Sequence, residues 1–447
     1  MSMMRNIYFL GIGGIGMSAL ARYFHNKGDI VSGYDKTPSP LTKKLEEEGI
    51  AIHYEDNPEL IPENIDFVVL TPAIPQDSLE LNFLRGRNVM IIKRAEVLGE
   101  ISRHCKSVAV GGTHGKTTVT ALTTHLLNFA GKKMSAFVGG IAKNINSNVI
   151  IGDVNDEIVV MEADEFDRSF LRLTPYISII TSIDADHLDI YGDEQHLFDA
   201  FCQFADKTMD DGVVIHSEYV ALETKRRKLT YGFDNADVLA KNVRIENEMT
   251  RFSVVTKEGI CLGEYEMQLY GRHNVMNALA ALTACCQLNV DMSVIKEGLR
   301  RFQGVQRRFD IRYKDDKVCY IDDYAHHPEE IAATLKAARD VFPDRELTLV
   351  FQPHLFTRTR DFMNEFAETL SLADRLVLME IYSAREEAIP GITSSALMEK
   401  VNCKEKQICQ KEELLDVLKN IKPELLITMG AGDIDRFVPQ IETLLKA

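Results

Sequence analysis

No stretch of this chain approaches the ~18 uninterrupted apolar residues of a membrane-spanning helix, so no span is expected. The apolar run near the start is broken by Gly11, Gly13, Gly14 and Gly16, unlike a secretion signal, and a cytoplasmic protein is expected. Cysteine is sparse: eight residues are scattered without a CxxC pair, which argues against a disulfide framework or a zinc site and predicts reduced, mostly buried thiols. Positive charge is in deficit. Lys and Arg number 51 against 67 Asp and Glu, and the net charge of −16 argues against nucleic acid or an anionic membrane as a partner. An anionic substrate then needs local Arg and Lys clusters. Internal repeats, low-complexity tracts and coiled-coil heptads are missing, as is any Ser-His-Asp or Cys-His nucleophile arrangement, which favours direct transfer driven by ATP. Oligomeric state is not legible in the sequence.

What is present is the size and composition of a soluble multidomain protein. With 447 residues, 45% of them hydrophobic and 26% charged, two or three domains are expected. The most informative stretch is Val110-Gly111-Gly112-Thr113-His114-Gly115-Lys116-Thr117-Thr118. It follows a short apolar run, Ser107 to Val110, that reads as a strand, and it precedes Val119 to Phe129, which has helical apolar spacing. A strand, a glycine-bordered turn and a helix N-terminus together form a phosphate cradle. Gly112, Thr113, His114, Gly115, Lys116, Thr117 and Thr118 are therefore the expected nucleotide-binding residues: Lys116 reaches the β and γ phosphates, and the Thr117 hydroxyl serves Mg²⁺. Val110 stands where the strict GxxxxGK[ST] pattern has its first glycine.

The fold class expected is α/β with three domains. Residues 1–104 read as a Rossmann-like domain. Its strand Asn6 to Leu10 leads into Gly11-Ile12-Gly13-Gly14-Ile15-Gly16, a helix from Met17 to Lys27, and a strand from Asp29 to Tyr34 that ends at Asp35. Such a glycine cluster suits a pyrophosphate, and Asp35 falls where a ribose hydroxyl is expected. Further strands are expected at Phe67 to Leu70 and Val89 to Ile92. Residues 105–306 read as a central P-loop ATPase-like parallel sheet, with strands at Glu157 to Met161, Ile177 to Thr181 and Gly212 to His216. A β-rich stretch from Val238 to Leu269 and a helix from Asn274 to Leu288 complete it. Gly304 to Arg308 reads as a linker. Residues 307–447 read as a second Rossmann-like unit with strands at Cys319 to Ile321, Leu347 to Phe351, Arg375 to Glu380 and Leu425 to Met429.

Two acidic segments follow apolar strands in the central region: Glu162-Ala163-Asp164-Glu165-Phe166-Asp167 and Asp184-Ala185-Asp186-His187-Leu188-Asp189. Open α/β sheets hold ligands at that edge, and a carboxylate there can hold hydrated Mg²⁺; His187 as a further ligand depends on phosphates and carboxylates supplying most of the binding. In the last region, Asp322-Asp323-Tyr324-Ala325-His326-His327-Pro328 and Gln352-Pro353-His354-Leu355-Phe356-Thr357-Arg358-Thr359-Arg360 each end a strand. His and Arg at neighbouring strand ends suggest a pocket in which arginine orients a carboxylate.

Assembled in order, these segments resemble the Mur ligases of bacterial cell-wall synthesis over nearly the whole chain. The resemblance rests on Gly11 to Ser18, Arg94-Ala95-Glu96, Gly112 to Thr118, Glu162 to Glu165 and Asp186-His187-Leu188-Asp189. It continues through His273-Asn274 with Asn277-Ala278, Arg307-Arg308-Phe309, Asp322 to Pro328, and Phe351 to His354 with Thr357 to Asp361. It implies a UDP-sugar domain holding its ligand on Gly13, Gly14, Gly16, Met17, Ser18 and Asp35, a central ATPase, and a C-terminal domain that closes over an amino acid. Thr117, Glu162 and His187 would serve Mg²⁺, and Asn277, Arg308 and Asp323 would contact ATP. Tyr324, His326, His354 and Arg358 would hold the amino acid, with Lys116, His326 and Arg358 as the catalytic set. The activity implied joins L-alanine to the carboxylate of UDP-N-acetylmuramate through an acyl phosphate, in peptidoglycan precursor synthesis. The alternative is a recycling ligase that adds a ready-made peptide. The short connection Ser169 to Pro175 and the Thr357 to Arg360 segment favour alanine. Three positions depart from the family pattern: Leu355 where arginine is common, Phe201 where related ligases carbamylate a lysine, and Ser182 where asparagine is common.

Overall fold

The computed structural model describes residues 4–152, 157–184, 188–384 and 386–446. Two compact units are distinguished: Met1–Asn242, Phe252–Glu266 and Met276–Gln303 form the first, and Val243–Arg251, Met267–Val275 and Gly304–Ala447 the second. Among the described residues no helix is long and apolar enough to cross a membrane.

The first unit opens with a five-stranded parallel sheet ordered Ala51–His53, Ile30–Tyr34, Asn6–Leu10, Phe67–Leu70, Met90–Lys93. The middle strand is buried on both faces through Ile7, Tyr8, Phe9 and Leu10, which is why it reads as an unbroken apolar run rather than an alternating one. Its helix spans Ile15–Asn26, two residues ahead of the expected start, because Gly14 takes the extended conformation of an N-cap. Met17, Leu20 and Phe24 of that helix enter the core. The short strand Ala51–His53 is absent from the sequence reading, since three residues carry too little periodicity to detect.

Under this sheet Glu80 is fully buried, accepting from Tyr8 Oη at 2.5 Å and from Asn57 N–H at 3.1 Å. Burial pushes its carboxyl up to about 7. The folded state therefore holds the proton more tightly than the unfolded chain. The stability this contributes is complete below pH 4.5 and is lost as pH rises through about 7. Glu80→Gln keeps the shape without the charge. It is expected to melt level with the wild type near pH 4.5 but a few degrees higher at pH 8, where the relief is up to about 3 kcal/mol. Parallel melting curves at both pH values would refute this.

The second sheet of the first unit has ten strands. Lys106–Gly111 lies between Ile177–Ile180 and Ile158–Glu162, all parallel. Beyond Ile158–Glu162 come Met134–Ala142 and, antiparallel, Ser147–Ile150. Met134–Ala142 escaped the sequence reading because Gly139 and Gly140 interrupt its apolar pattern, and Ser147–Ile150 because four residues carry too little periodicity. On the other side Val213–Ser217 and Lys228–Gly232 lead to Val238–Glu246, Met249–Thr256 and Cys261–Met267, so the β-rich stretch extends the central sheet. The helix Ile15–Asn26 reaches this sheet as well, with Tyr23 and Phe137 ring centroids 5.4 Å apart and Arg22 Nη1 donating to Asn148 Oδ1 at 3.0 Å.

The second unit is built on a six-stranded sheet ordered Asp310–Lys314, Cys319–Asp323, Leu425–Met429, Leu347–Phe351, Arg375–Met379, Glu405–Cys409. Among the described residues the first pair is antiparallel and the other four are parallel. The strand expected at Cys319 to Ile321 runs on to Asp323 because both aspartates find donors inside. Arg307 Nε donates to Asp322 Oδ2 at 3.2 Å, and Phe309 N–H donates to Asp323 Oδ2 at 2.7 Å.

Candidate active site

The strand Lys106–Gly111 delivers residues 112–115 to the C-terminal edge of the central sheet, where open parallel sheets hold ligands. Two glycines there are required. Gly112 has φ +133°, and a Cβ on it would lie 2.0 Å from Thr181 Oγ1. Gly115 has φ +84° and caps the helix Lys116–Phe129; a Cβ would lie 2.7 Å from Asn277 Oδ1, so the helix Arg272–Gln287 brings Asn277 directly against the loop. The flank is held by Ser182. Its carbonyl accepts from Thr113 N–H at 3.1 Å, and its hydroxyl accepts from His114 N–H at 3.1 Å and lies 2.8 Å from Thr113 Oγ1. A serine at this position thus gives the loop both a donor and an acceptor. Thr113 and His114 N–H are both engaged by Ser182, and Val119 N–H donates to Gly115 O in the first helical bond. The N–H groups of a helix's first turn have no intrahelical acceptor, which leaves those of Thr117 and Thr118 directed at the loop mouth, where an anion is accepted.

Lys116 folds back on its own loop. Its Nζ donates to Gly112 O at 2.6 Å and Glu165 Oε1 at 2.7 Å, with Thr113 O at 3.4 Å. Glu165 is 1% exposed, and the pairing keeps Lys116 protonated despite its own burial. Glu162 pairs in register with Val110 on the adjacent strand and accepts from Gly139 N–H at 2.7 Å. Phe201 is fully buried against Phe170, with ring centroids 5.1 Å apart, so this position is part of the core. His187 and Asp186 lie outside the described residues.

In the glycine loop of the first sheet, Asp35 Oδ2 accepts from Gly13 N–H at 2.8 Å and Oδ1 from Thr37 N–H at 3.2 Å. Asp35 thus fixes the loop's shape. Gly14 precedes the helix, and Met17 and Ser18 are buried; the Ser18 hydroxyl donates to Ile15 O at 3.0 Å and accepts from Asn148 Nδ2 at 3.3 Å. Arg94, to which the sequence reading gave no role, lies over Gly16: a Cβ there would meet its Nη1 at 2.2 Å. Its Nη2 donates to Asp164 Oδ2 at 3.2 Å. A small cleft of about 60 Å³, lined by Gly16, Arg94, Phe137, Glu162 and Asp164 among others, connects the glycine loop to the acidic segment.

The second unit gathers Tyr324, His326, His354 and Arg358. Arg307 and Arg308 guanidinium carbons lie 5.2 and 5.0 Å from the Tyr324 ring centroid, and the rings of His326 and His354 stand 5.2 and 6.3 Å from Tyr324 and His326 respectively. His326 Nδ1 lies 3.0 Å from Tyr324 O, and Glu330 Oε2 accepts from His326 N–H at 3.1 Å. Burial lowers His326 to about 4, and burial with the Arg358 charge lowers His354 to about 4, so both rings are neutral at pH 7. Arg358 Nη1 is 3.5 Å from His354 Nδ1. Asp323 is raised to about 6 by burial against the opposing pull of Arg308, and it accepts from Phe309 and Ala325 N–H, both at 2.7 Å. Leu355 holds φ +75° while its N–H donates to Tyr382 O at 2.9 Å, so its backbone is what shapes this turn. Glu165, Glu330, Asp184, Arg94 and Tyr382 were missed as site residues. Arg94, Glu165 and Asp184 sit inside segments already singled out, which was the available signal.

Comparison with known proteins agrees with this geometry. Residues 6–106 match the family model "Mur ligase family, catalytic domain", residues 110–285 "Mur ligase middle domain" and residues 307–432 "Mur ligase, glutamate ligase domain". A UDP-N-acetylmuramate--L-alanine ligase of Cytophaga hutchinsonii is 46% identical, over 99% of this chain and 97% of that relative. One of Flavobacterium johnsoniae is 46% identical, over 100% of this chain and 99% of the relative. The crystal structure of the UDP-N-acetylmuramate-alanine ligase of Thermotoga maritima superposes with a TM-score of 0.84 at 30% identity, covering 98% of this chain and 99% of that one. Ordered loops, strand ends and full-length identity converge on one assignment: the chain belongs to the Mur ligase family.

Proposed function

We propose that this chain is an ATP-dependent ligase that joins L-alanine to the carboxylate of UDP-N-acetylmuramate, supplying a peptidoglycan precursor. The observation that carries the proposal is the Gly112 to Thr118 loop, with Lys116 beside a buried carboxylate at a strand edge, in a chain 46% identical to relatives named as alanine ligases. A murein peptide ligase from Psychrobacter arcticus shares the fold at 22% identity and a TM-score of 0.74, which speaks to architecture alone. Both nucleotide substrates belong to the cytoplasm, where we place the reaction.

Residues 1–104 hold the UDP-sugar, 105–306 hold ATP and 307–447 hold the amino acid. The muramate carboxylate oxygen attacks the γ-phosphorus and ADP leaves; the alanine amine then attacks the acyl carbon, phosphate leaves and the amine gives up a proton. Lys116 and the first-turn N–H groups take up phosphate charge as the transfer proceeds. Thr117 and Glu162 offer hard oxygen donors that suit Mg²⁺, with His187 as the third residue we assign, and the ion neutralises phosphate charge when bound. Asn277, Arg308 and Asp323 complete the ATP contacts. In the amino-acid pocket Arg358 takes the carboxylate. His326, with Nδ1–H donating to Tyr324 O, has its Nε2 lone pair for the amine proton.

The test mixes the protein, Mg-ATP and UDP-N-acetylmuramate with L-alanine or with a recycling-type tripeptide, following phosphate release and product mass. Mass gain with alanine is expected. Gain with the tripeptide alone moves the chain to the recycling branch, and phosphate release indifferent to the sugar overturns the ligase reading.

A further inference from the structure

Three carboxylates in the acidic segment take three different partners: Glu162 the Gly139 N–H, Asp164 the Arg94 guanidinium, and Glu165 the Lys116 ammonium. Of these, Glu165 is the most committed. It is 1% exposed, and its backbone carbonyl accepts from Tyr191 Oη at 2.7 Å and from Arg168 N–H at 2.9 Å, which fixes where its side chain starts. Across from it, Lys116 spends its three protons on Glu165 Oε1, Gly112 O and, at longer range, Thr113 O.

An ammonium has no fourth donor. A β- or γ-phosphate oxygen that enters the loop must take a proton from one of these acceptors, and it must do so within reach of a buried negative charge. The Gly112 carbonyl is part of the loop and moves with it. Glu165 belongs to another strand end, and its bond to Nζ is charge-assisted, the strongest of the three.

We infer that Glu165 is the positioning residue of Lys116, competing with the phosphates for the ammonium while fixing its place at the loop. The inference rests on the ATP-dependent reading of the loop. Two opposite effects follow from one side chain. The Glu165 charge weakens ATP binding, because it competes with the phosphates for Lys116 and repels them. The same charge supports turnover, because a lysine anchored on a rigid strand end is aimed, whereas an unanchored one samples other rotamers.

The experiment compares wild type, Glu165→Gln and Glu165→Asp, using calorimetry with Mg-adenylyl imidodiphosphate and steady-state phosphate release with UDP-N-acetylmuramate and L-alanine. Glu165→Gln is expected to bind the analogue about fivefold tighter while kcat falls at least about tenfold, a split that loss of structure does not produce. Glu165→Asp, which retains the charge, is expected to return the analogue affinity to within about twofold of wild type and to recover part of kcat. Weaker analogue binding by Glu165→Gln would overturn the inference and make Glu165 a metal or phosphate contact instead. Unchanged affinity and unchanged kcat would also overturn it. If Glu165→Gln does not fold, Glu165→Asp decides alone: a kcat loss at unchanged affinity supports positioning, and a parallel loss of both refutes it. Failure of the wild type itself to bind the analogue would strike the ATP reading rather than this residue's share in it.

Discussion

Lys116→Ala should abolish ligation, lowering sugar-dependent phosphate release at least about 10³-fold, because no other cation on the loop can take up the charge of the transferring phosphoryl group. The UDP-sugar dissociation constant should move less than about threefold in calorimetry, since its glycine loop and Asp35 lie on a different sheet. Equal loss of turnover and sugar binding would refute this division of labour. The substitution also strands Glu165, 1% exposed, without its cation. Breaking such a pair from one side costs about 3 kcal/mol, so the single variant should melt several degrees early. Adding Glu165→Gln should restore most of the melting temperature and none of the activity. A double variant no more stable than Lys116→Ala would mean that the pair contributes little to the fold.

Arg358→Ala should raise the KM for L-alanine about 100-fold while leaving the KM for ATP within about twofold. Arg358 Nη1 lies 3.5 Å from His354 Nδ1 and its charge faces both His354 and His326, whose rings burial keeps neutral, while Arg308 faces His326 from the Tyr324 side. A free amino acid brings a carboxylate that neutral imidazoles cannot balance. Arg358→Lys should recover only part of the loss, because an ammonium lacks the planar fork that meets two carboxylate oxygens. An unchanged KM for alanine would remove Arg358 from the pocket.

The legible and the illegible parts of this chain divide along physical lines. Buried parallel strands such as Asn6–Leu10, Lys106–Gly111 and Leu425–Met429 announce themselves, since burial on both faces demands an unbroken apolar run. Short strands and strands carrying glycine do not: Ala51–His53 and Met134–Ala142 form because neighbours pair with them, a tertiary cause absent from local pattern. The strand Cys319–Asp323 runs past its apolar residues because Arg307 and the Phe309 N–H arrive from elsewhere in sequence to satisfy two aspartates.

The sequence by itself determined the family and the order of phosphate loop, acidic segment and histidine-bearing strand ends, because each is a contiguous run of residue types whose chemistry is local. Only the tertiary structure decided which partner each polar group takes and why Gly112 and Gly115 must be glycine, since left-handed turns and close approach exclude a Cβ there. It turned Asp35 toward the Gly13 N–H, assigned Ser182 to the flank of the loop, filled the Phe201 position with core, and set Lys116 against Glu165. Those choices depend on which strands become neighbours. A buried donor or acceptor must find its partner in the space the fold provides, and that partner is 49 residues away in the case of Lys116 and Glu165.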